Sequence, residues 1–153
     1  MEMKRKAFIY SILVTFVFVL LSCSRNDPDV IAERDREKIL EYIEENELDA
    51  MELEEGVFIA ITQEGSGGNP SENSLVLLNY IGTLLNGDVF DSGNSARLNL
   101  AAVVRGFRIG VMELNRGSKA IILIPSAAGY GQFSQAGIPR NSVLIFDVEI
   151  IDF

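Results

Sequence analysis

Leu98–Leu114, LNLAAVVRGFRIGVMEL, is the stretch that decides how this chain folds. Val104, Phe107, Val111 and Leu114 recur at i, i+3, i+7 and i+10, one apolar stripe at the helical period. Gly106 and Gly110, four apart, leave a bare flank where another part of the chain can approach closely. Apart from this stretch, everything after residue 55 reads as strand or turn. A single short helix among many strands lies across one sheet face, so that both bury their apolar sides together. The expectation is an α+β fold, an antiparallel β-sheet wrapped around one short α-helix. Val103, Val104 and Phe107, at the N-terminal end of the stripe, are the first candidates for a pocket floor.

Working upstream, Gly56 stops an acidic run and Val57–Thr62 reads as a first strand. Residues 65–70, GSGGNP, are a loop by composition. Ser74–Leu85 is a long strand with Val76, Leu78 and Tyr80 on one face and Leu77 and Ile81 on the other. Asn86-Gly87, a strong hairpin signal, joins it to Asp88-Val89-Phe90-Asp91. Leu98 and Leu100 alternate as in a short strand leading into the helix. Downstream, Arg116-Gly117 is the expected helix stop. Ser118–Ile124 is apolar on both faces, as a central strand should be. Pro125–Pro139 is a Gly- and Ala-rich loop carrying Tyr130 and Phe133. Val143–Phe153 places Leu144, Phe146, Val148 and Ile150 inward and Asp147 and Glu149 outward.

The N-terminal part has a different character. Met1–Lys6 is basic, Ala7–Leu21 is apolar, and Leu20-Leu21-Ser22-Cys23 closes the run. The run is shorter than the ~20 residues of a spanning helix, which favours a signal peptide over residues 1–22. Leu at −3 and Ser at −1 before the only cysteine resemble the bacterial lipobox, although Leu21 is bulkier than usual. That resemblance implies cleavage before Cys23, a diacylglyceryl thioether on its sulfur and an acylated (palmitate-type) N-terminus, enough acyl chain for stable anchoring. An uncleaved anchor helix and plain secretion are the alternatives. Residues 23–55 then form a tether (Ser24–Pro28) and a charged helix from about Asp29 to Glu47. Its apolar side is sparse: Ile31, Ile39, Ile43 and Tyr42. It reads as a solvated helix spacing the domain at 56–153 from a membrane, with a dimerisation helix as the sharper alternative.

Composition removes many functions. The formal net charge of the 153 residues is −9. Loss of residues 1–22, with three basic residues and one acidic, lowers it to −11, which argues against a nucleic-acid partner. There is no histidine, so Ser-His-Asp and Cys-His mechanisms and the commonest metal ligand are absent. Ser126 lacks a G-x-S-x-G setting, and no Lys follows the glycines at 65–68 to make a phosphate loop. Asp147 and Glu149 belong to an outward strand face. Asp91 differs, because it follows Phe90 at a strand end where a carboxylate can point into a cleft. No cofactor or metal is expected.

What remains is an aromatic and apolar set: Tyr80, Phe90, Val104, Phe107, Tyr130 and Phe146. Its ordering is informative. LNYIG (78–82), NGDVFDS (86–92), VRGF (104–107), IPSAAGYG (124–131), GIPRNS (137–142) and LIFDVE (144–149) follow one another. Six pieces in this order closely resemble the FKBP-type peptidyl-prolyl isomerase domain, over about Gly56–Phe153. The resemblance implies a proline-sized pocket with Phe107 as floor and Tyr80, Phe90 and Phe146 as walls. Val103, Val104 and Ile138 would stand at the rim. The Val104 backbone N–H and the Tyr130 phenol would bond to ligand carbonyls, and Asp91 would sit beside the twisting amide. Partners implied are proline-containing polypeptide clients and tacrolimus-type macrolides, in a bacterial envelope where Cys23 ties the chain to a membrane. Two departures matter. The usual floor is Trp where this chain has Phe107, and a usual Phe aligns near Leu98. Both enlarge or soften the pocket, which keeps open a non-catalytic proline-peptide-binding or chaperone module as the alternative. The Tyr130–Phe146 connection leaves no room for the inserted chaperone domain of some family members.

Overall fold

The computed structural model describes residues 27–153. The expected signal peptide and Cys23 lie outside the described residues. The chain divides after Glu33 into two units. Of the first, the described part is the opening of helix α1 (Pro28–Glu45). Its cap is Asp27, whose carboxylate accepts the Asp29 N–H at 3.1 Å.

The second unit, Arg34–Phe153, is built on six antiparallel strands. They are β1 (Met51–Glu52), β2 (Phe58–Gln63), β3 (Leu75–Leu84), β4 (Val89–Asn99), β5 (Lys119–Ile124) and β6 (Leu144–Asp152). Their order in the sheet is β1-β2-β5-β6-β3-β4. Helix α2 (Arg105–Met112) crosses one face. A Cβ placed on Gly106 would stand 2.3 Å from Ile124 Cγ2, and one on Gly110 would stand 2.6 Å from Ile122 Cγ2. The two glycines therefore set how closely α2 lies on β5, as their spacing predicts.

Alternation at period 2 explains why the central strands are apolar on both faces. Ile122 and Ile124 of β5, and Leu144, Phe146 and Val148 of β6, join the α2 side together with Phe107 and Val111. Leu123 and Ile145, the residues between them, pack with Phe58, Val143 and Ile39 on the other side. Ile39 belongs to α1 and is wholly buried, with Tyr42 and Ile43 packed beside it. The expectation of a solvated spacer helix therefore fails over 34–45. The sequence shows a thin stripe, but three apolar residues at i, i+3 and i+4 are enough to cover the narrow apolar back of β2, β5 and β6. Among the described residues, no helix is long and apolar enough to cross a membrane.

Two further expectations are corrected. α2 stops at Met112, not at Arg116-Gly117. Glu113 and Leu114 donate to Gly110 and Val111 in tightened bonds of 3.2 and 3.1 Å, which completes the stripe by burying Leu114. Gly117 (φ 86°) belongs to the next turn, where its N–H meets the Ile150 carbonyl at 2.8 Å. Likewise, Leu98 and Leu100 do not form a separate short strand. β4 is continuous from Val89 through Leu98 to Asn99, and Leu100 opens a 3₁₀ turn (Leu100–Ala102) capped by Asn99, whose side chain accepts the Ala101 N–H at 2.9 Å.

Candidate active site

The pairing of β3 with β4 aims the site. Val76 faces Leu98 and Leu78 faces Ala96, but Tyr80 faces Gly93. One extra residue on β4 is thus accommodated near Ser95, which takes a positive φ of 51° and donates its N–H to Asn79 Oδ1 at 2.8 Å. A one-residue slip turns every following side chain to the opposite face. Without it, Asp91 would share the outward face. With it, Asp91 pairs with Gly82 on the inward side. A second shift follows between Gly82 and Thr83, so that Phe90 as well as Asp91 comes inward. Gly82 makes room for this. A Cβ there would stand 2.7 Å from Phe90 Cζ and 2.9 Å from Phe146 Cε1.

Against this strand edge the helix brings Phe107, which is only 2 % exposed. Phe107 and Phe146 meet edge to face with centroids 4.7 Å apart, and Tyr80 lies 6.2 Å from Phe107 and 6.3 Å from Phe146. Such offset arrangements place positive ring edges against negative faces and hold the rings in fixed orientations. They enclose a cavity of about 260 Å³ lined by Tyr80, Asp91, Val103, Val104, Phe107, Tyr130 and Phe146, with Leu98 and Ala102 completing it. Seven of the nine residues singled out from the sequence therefore converge on one hollow.

Phe90 and Ile138 do not line it. Phe90, half-buried, meets Phe146 edge to face with centroids 5.4 Å apart. Ile138 is 5 % exposed and belongs to the core rather than a rim. Ala102 went unnoticed in the sequence. The signal available was Asn99 ahead of Leu-Ala-Ala, a cap followed by a short turn that folds Ala102 back. A larger hollow of about 560 Å³ lies over Asn79, Ile81, Lys119, Asp147 and Glu149. Its lining side chains are paired with one another: Glu149 accepts from Asn79 at 2.9 Å and meets Lys119 at 3.3 Å. The first of these contacts, and then Lys119, hold the Glu149 carboxyl below its usual value.

The polar groups of the aromatic cavity are sorted into committed and uncommitted ones. Tyr80 donates its hydroxyl to Asp91 Oδ2 at 3.0 Å, and Asp91 Oδ1 accepts the Ser92 N–H at 2.8 Å. Burial, and then the bond to Asp91, push the Tyr80 phenol above its ordinary 10.0, so it remains a neutral donor. In contrast, neither the Val104 N–H nor the Tyr130 hydroxyl finds a hydrogen-bond partner among the described residues. Val104 is the extended residue just before α2 (φ −59°, ψ 144°), so the helix geometry asks nothing of its N–H. The arrangement is a chamber walled by aromatic rings, with two free donors and one fixed carboxylate. Among the described residues, no group of three or more Cys, Asp or Glu is placed to hold a metal.

Known proteins resemble this chain in sequence and in fold. Residues 67–151 match the family described as FKBP-type peptidyl-prolyl cis-trans isomerase. The chain is 35 % identical over 101 residues to the FKBP-type peptidyl-prolyl cis-trans isomerase FkpA of Escherichia coli, covering 63 % of this chain and 37 % of that protein. To FkpA of Aeromonas hydrophila it is 36 % identical over 102 residues, covering 64 % and 38 %. The chain thus spans little more than a third of the length of these curated relatives. The crystal structure of FkpA from Escherichia coli superposes with a TM-score of 0.69 at 29 % identity, covering 94 % of this chain and 70 % of that one. A peptidyl-prolyl cis-trans isomerase structure from Pseudomonas syringae gives 0.71 at 24 % identity over 80 % and 92 %, which supports the fold.

Proposed function

Since the chain belongs to the FKBP-type peptidyl-prolyl cis-trans isomerase family, we propose that the aromatic cavity binds Xaa-Pro segments of polypeptide clients and catalyses rotation about the prolyl bond. The observation that carries this reading is the pairing of an aromatic-walled chamber with two uncommitted donors, the Val104 N–H and the Tyr130 hydroxyl.

The chemistry needs no covalent step. Rotation about a peptide bond is opposed by amide resonance, a barrier of ~18–20 kcal/mol. As the amide twists, its carbonyl loses negative charge and the nitrogen lone pair localises. A chamber walled by Tyr80, Phe107 and Phe146 disfavours the polar planar amide relative to the less polar twisted one, so binding is tighter at the transition state. Val104 N–H and Tyr130 hold the carbonyls that flank the proline, which restricts rotation to one bond. Asp91 is fixed by Tyr80 and Ser92, so its carboxylate faces the reacting amide in one orientation. The absence of histidine costs this mechanism nothing.

A protease-free isomerisation assay on a short Xaa-Pro peptide tests the reading. Catalysis by the purified chain, reduced in Tyr130→Phe, is the expected result. A folded chain that binds the peptide without accelerating isomerisation supports the second reading, a proline-peptide-binding or chaperone module. Phe107 where the family carries Trp, with Leu98 beside it, is what favours that alternative, because both leave the chamber looser around a proline ring. The same looseness predicts weak binding of tacrolimus-type macrolides.

The N-terminal pattern supports a location in the bacterial envelope, with the chain lipid-anchored at Cys23. Fatty-acid labelling that disappears in Cys23→Ala, with release of the mutant from membranes, is the expected outcome. Unchanged fractionation of that mutant would refute the anchor.

A further inference from the structure

Asp35 is the one charged residue in the buried class among the described residues, 1 % exposed, and the isomerisation mechanism above makes no use of it. It comes from α1, yet one of its carboxylate oxygens is committed to the loop that carries Tyr130. Oδ2 accepts the Ser126 N–H at 3.0 Å and the Ser126 hydroxyl as well, while Oδ1 takes Arg34 Nη2 at 3.0 Å. Ser126 is the first residue of the 3₁₀ turn Ser126–Ala128 and is itself buried. Its carbonyl accepts both the Gly129 N–H at 3.0 Å and the Gly131 N–H at 2.7 Å, closing a ring of backbone bonds around Tyr130. Gly131 in turn accepts the Asn141 N–H at 2.7 Å, where the loop re-enters the sheet, and the Asn141 carbonyl accepts Arg34 Nη2 at a longer 3.5 Å.

We propose that Arg34 and Asp35 form a clamp that holds both ends of the 126–141 loop and so positions the Tyr130 hydroxyl over the proline chamber. The inference rests on the isomerase reading of that chamber and adds to it two positioning residues outside the aromatic site. The physical case is economical. A buried carboxylate is costly unless every oxygen is paired, and here both are. Between the buried Ala128 and Ile138, residues 132–137 of the loop are exposed, Phe133 to 77 %. Asp35 thus fixes the starting residue of the Tyr130 turn, and Arg34 reaches its far end.

The test compares Asp35→Ala, Asp35→Asn and Ile39→Ala in the full chain, each with and without Tyr130→Phe, under conditions where circular dichroism shows a folded protein. If the clamp positions Tyr130, Asp35→Ala lowers kcat/KM about fivefold, the worth of one net hydrogen bond, and adds nothing in the Tyr130→Phe background. Asp35→Asn, which keeps an acceptor for Ser126, restores most of the activity. Ile39→Ala, which weakens α1 packing without touching the clamp, leaves kcat/KM unchanged. Hydrogen exchange at the Gly129, Gly131 and Asn141 amides rises in Asp35→Ala and not in Ile39→Ala. Additive losses with Tyr130→Phe, or unaltered exchange at those amides, would overturn the clamp. If the unmodified chain shows no isomerase activity, the reading of the chamber is what fails, and the exchange measurement alone decides the clamp.

Discussion

The two faces of the central sheet bury similar residues to opposite ends. On the back, Ile39 of α1 packs with Phe58, Leu123, Val143 and Ile145 in one buried cluster. On the front, α2 covers Ile122 and Ile124 through its glycine flank but stops short of β3 and β4. There the aromatic rings of Tyr80, Phe107 and Phe146 surround space instead of filling it. The difference teaches where function can reside in a small sheet domain. A face closed by aliphatic side chains at native density contributes stability only, whereas rigid rings held edge to face can leave a chamber standing.

This contrast can be broken by mutation, beginning with the front wall. Phe146 meets the rings of Tyr80, Phe90 and Phe107, so Phe146→Ala should cost about 3–5 kcal/mol in denaturant unfolding and abolish catalysis with it. Retention of full activity would mean that the chamber is not the site. On the back, Ile39→Ala should cost about 2–5 kcal/mol, yet leave kcat/KM intact wherever the protein stays folded. A collapse of activity there would erase the distinction between the faces. Smaller is Tyr130→Phe, which removes one free donor. We expect about 1 kcal/mol, close to a fivefold loss in kcat/KM, with thermal stability changed little because the hydroxyl has no partner among the described residues to lose. Phe107→Trp should sharpen the front face in the other direction, tightening peptide and macrolide binding by filling the chamber.

The smallest effects concern pH. Tyr80 titrates above its ordinary 10.0, so its contribution is complete below that value and is lost only as pH rises through the raised one. With no histidine in the chain, kcat/KM should be level across the neutral range. A bell centred near pH 7 would contradict the mechanism. For Glu149 the sign is opposite. Its lowered value means that its support is present above the ordinary 4.5 and is lost as pH falls through the folded value. Acid unfolding of Glu149→Gln should therefore begin from a slightly less stable protein and show a shallower slope below that point.

Much of this architecture was legible in the residues alone, and particular elements show why. The stripe from Val104 to Leu114, with Gly106 and Gly110 on its flank, dictated a helix packed closely on one sheet face, because a helical period and missing Cβ atoms are properties of the sequence. The apolar runs of β5 and β6 likewise announced strands covered on both sides. The family resemblance carried by the six ordered pieces from Leu78 to Glu149 implied a pocket, and six residues that line the cavity stand within those pieces. The absence of histidine excluded Ser-His-Asp and Cys-His mechanisms.

Other features were decided only by long-range contact. Whether Asp91 faces the chamber depends on a one-residue slip of β4 against β3, set by Ser95 bonding to Asn79, and no local pattern encodes the register of two strands. Ile138, which the resemblance places at the rim, is buried in the core, because depth is a matter of packing order, which periodicity does not carry. α1 looked like a solvated spacer because its apolar residues are few. Three of them suffice once a narrow sheet back is there to receive them, and a buried Asp35 is tolerated only because Ser126 and Arg34 are brought to it by the fold. Sequence determines which surfaces must be buried and which atoms are available. Tertiary structure decides which of them meet, because hydrogen bonds and close packing depend on distances that span the whole chain.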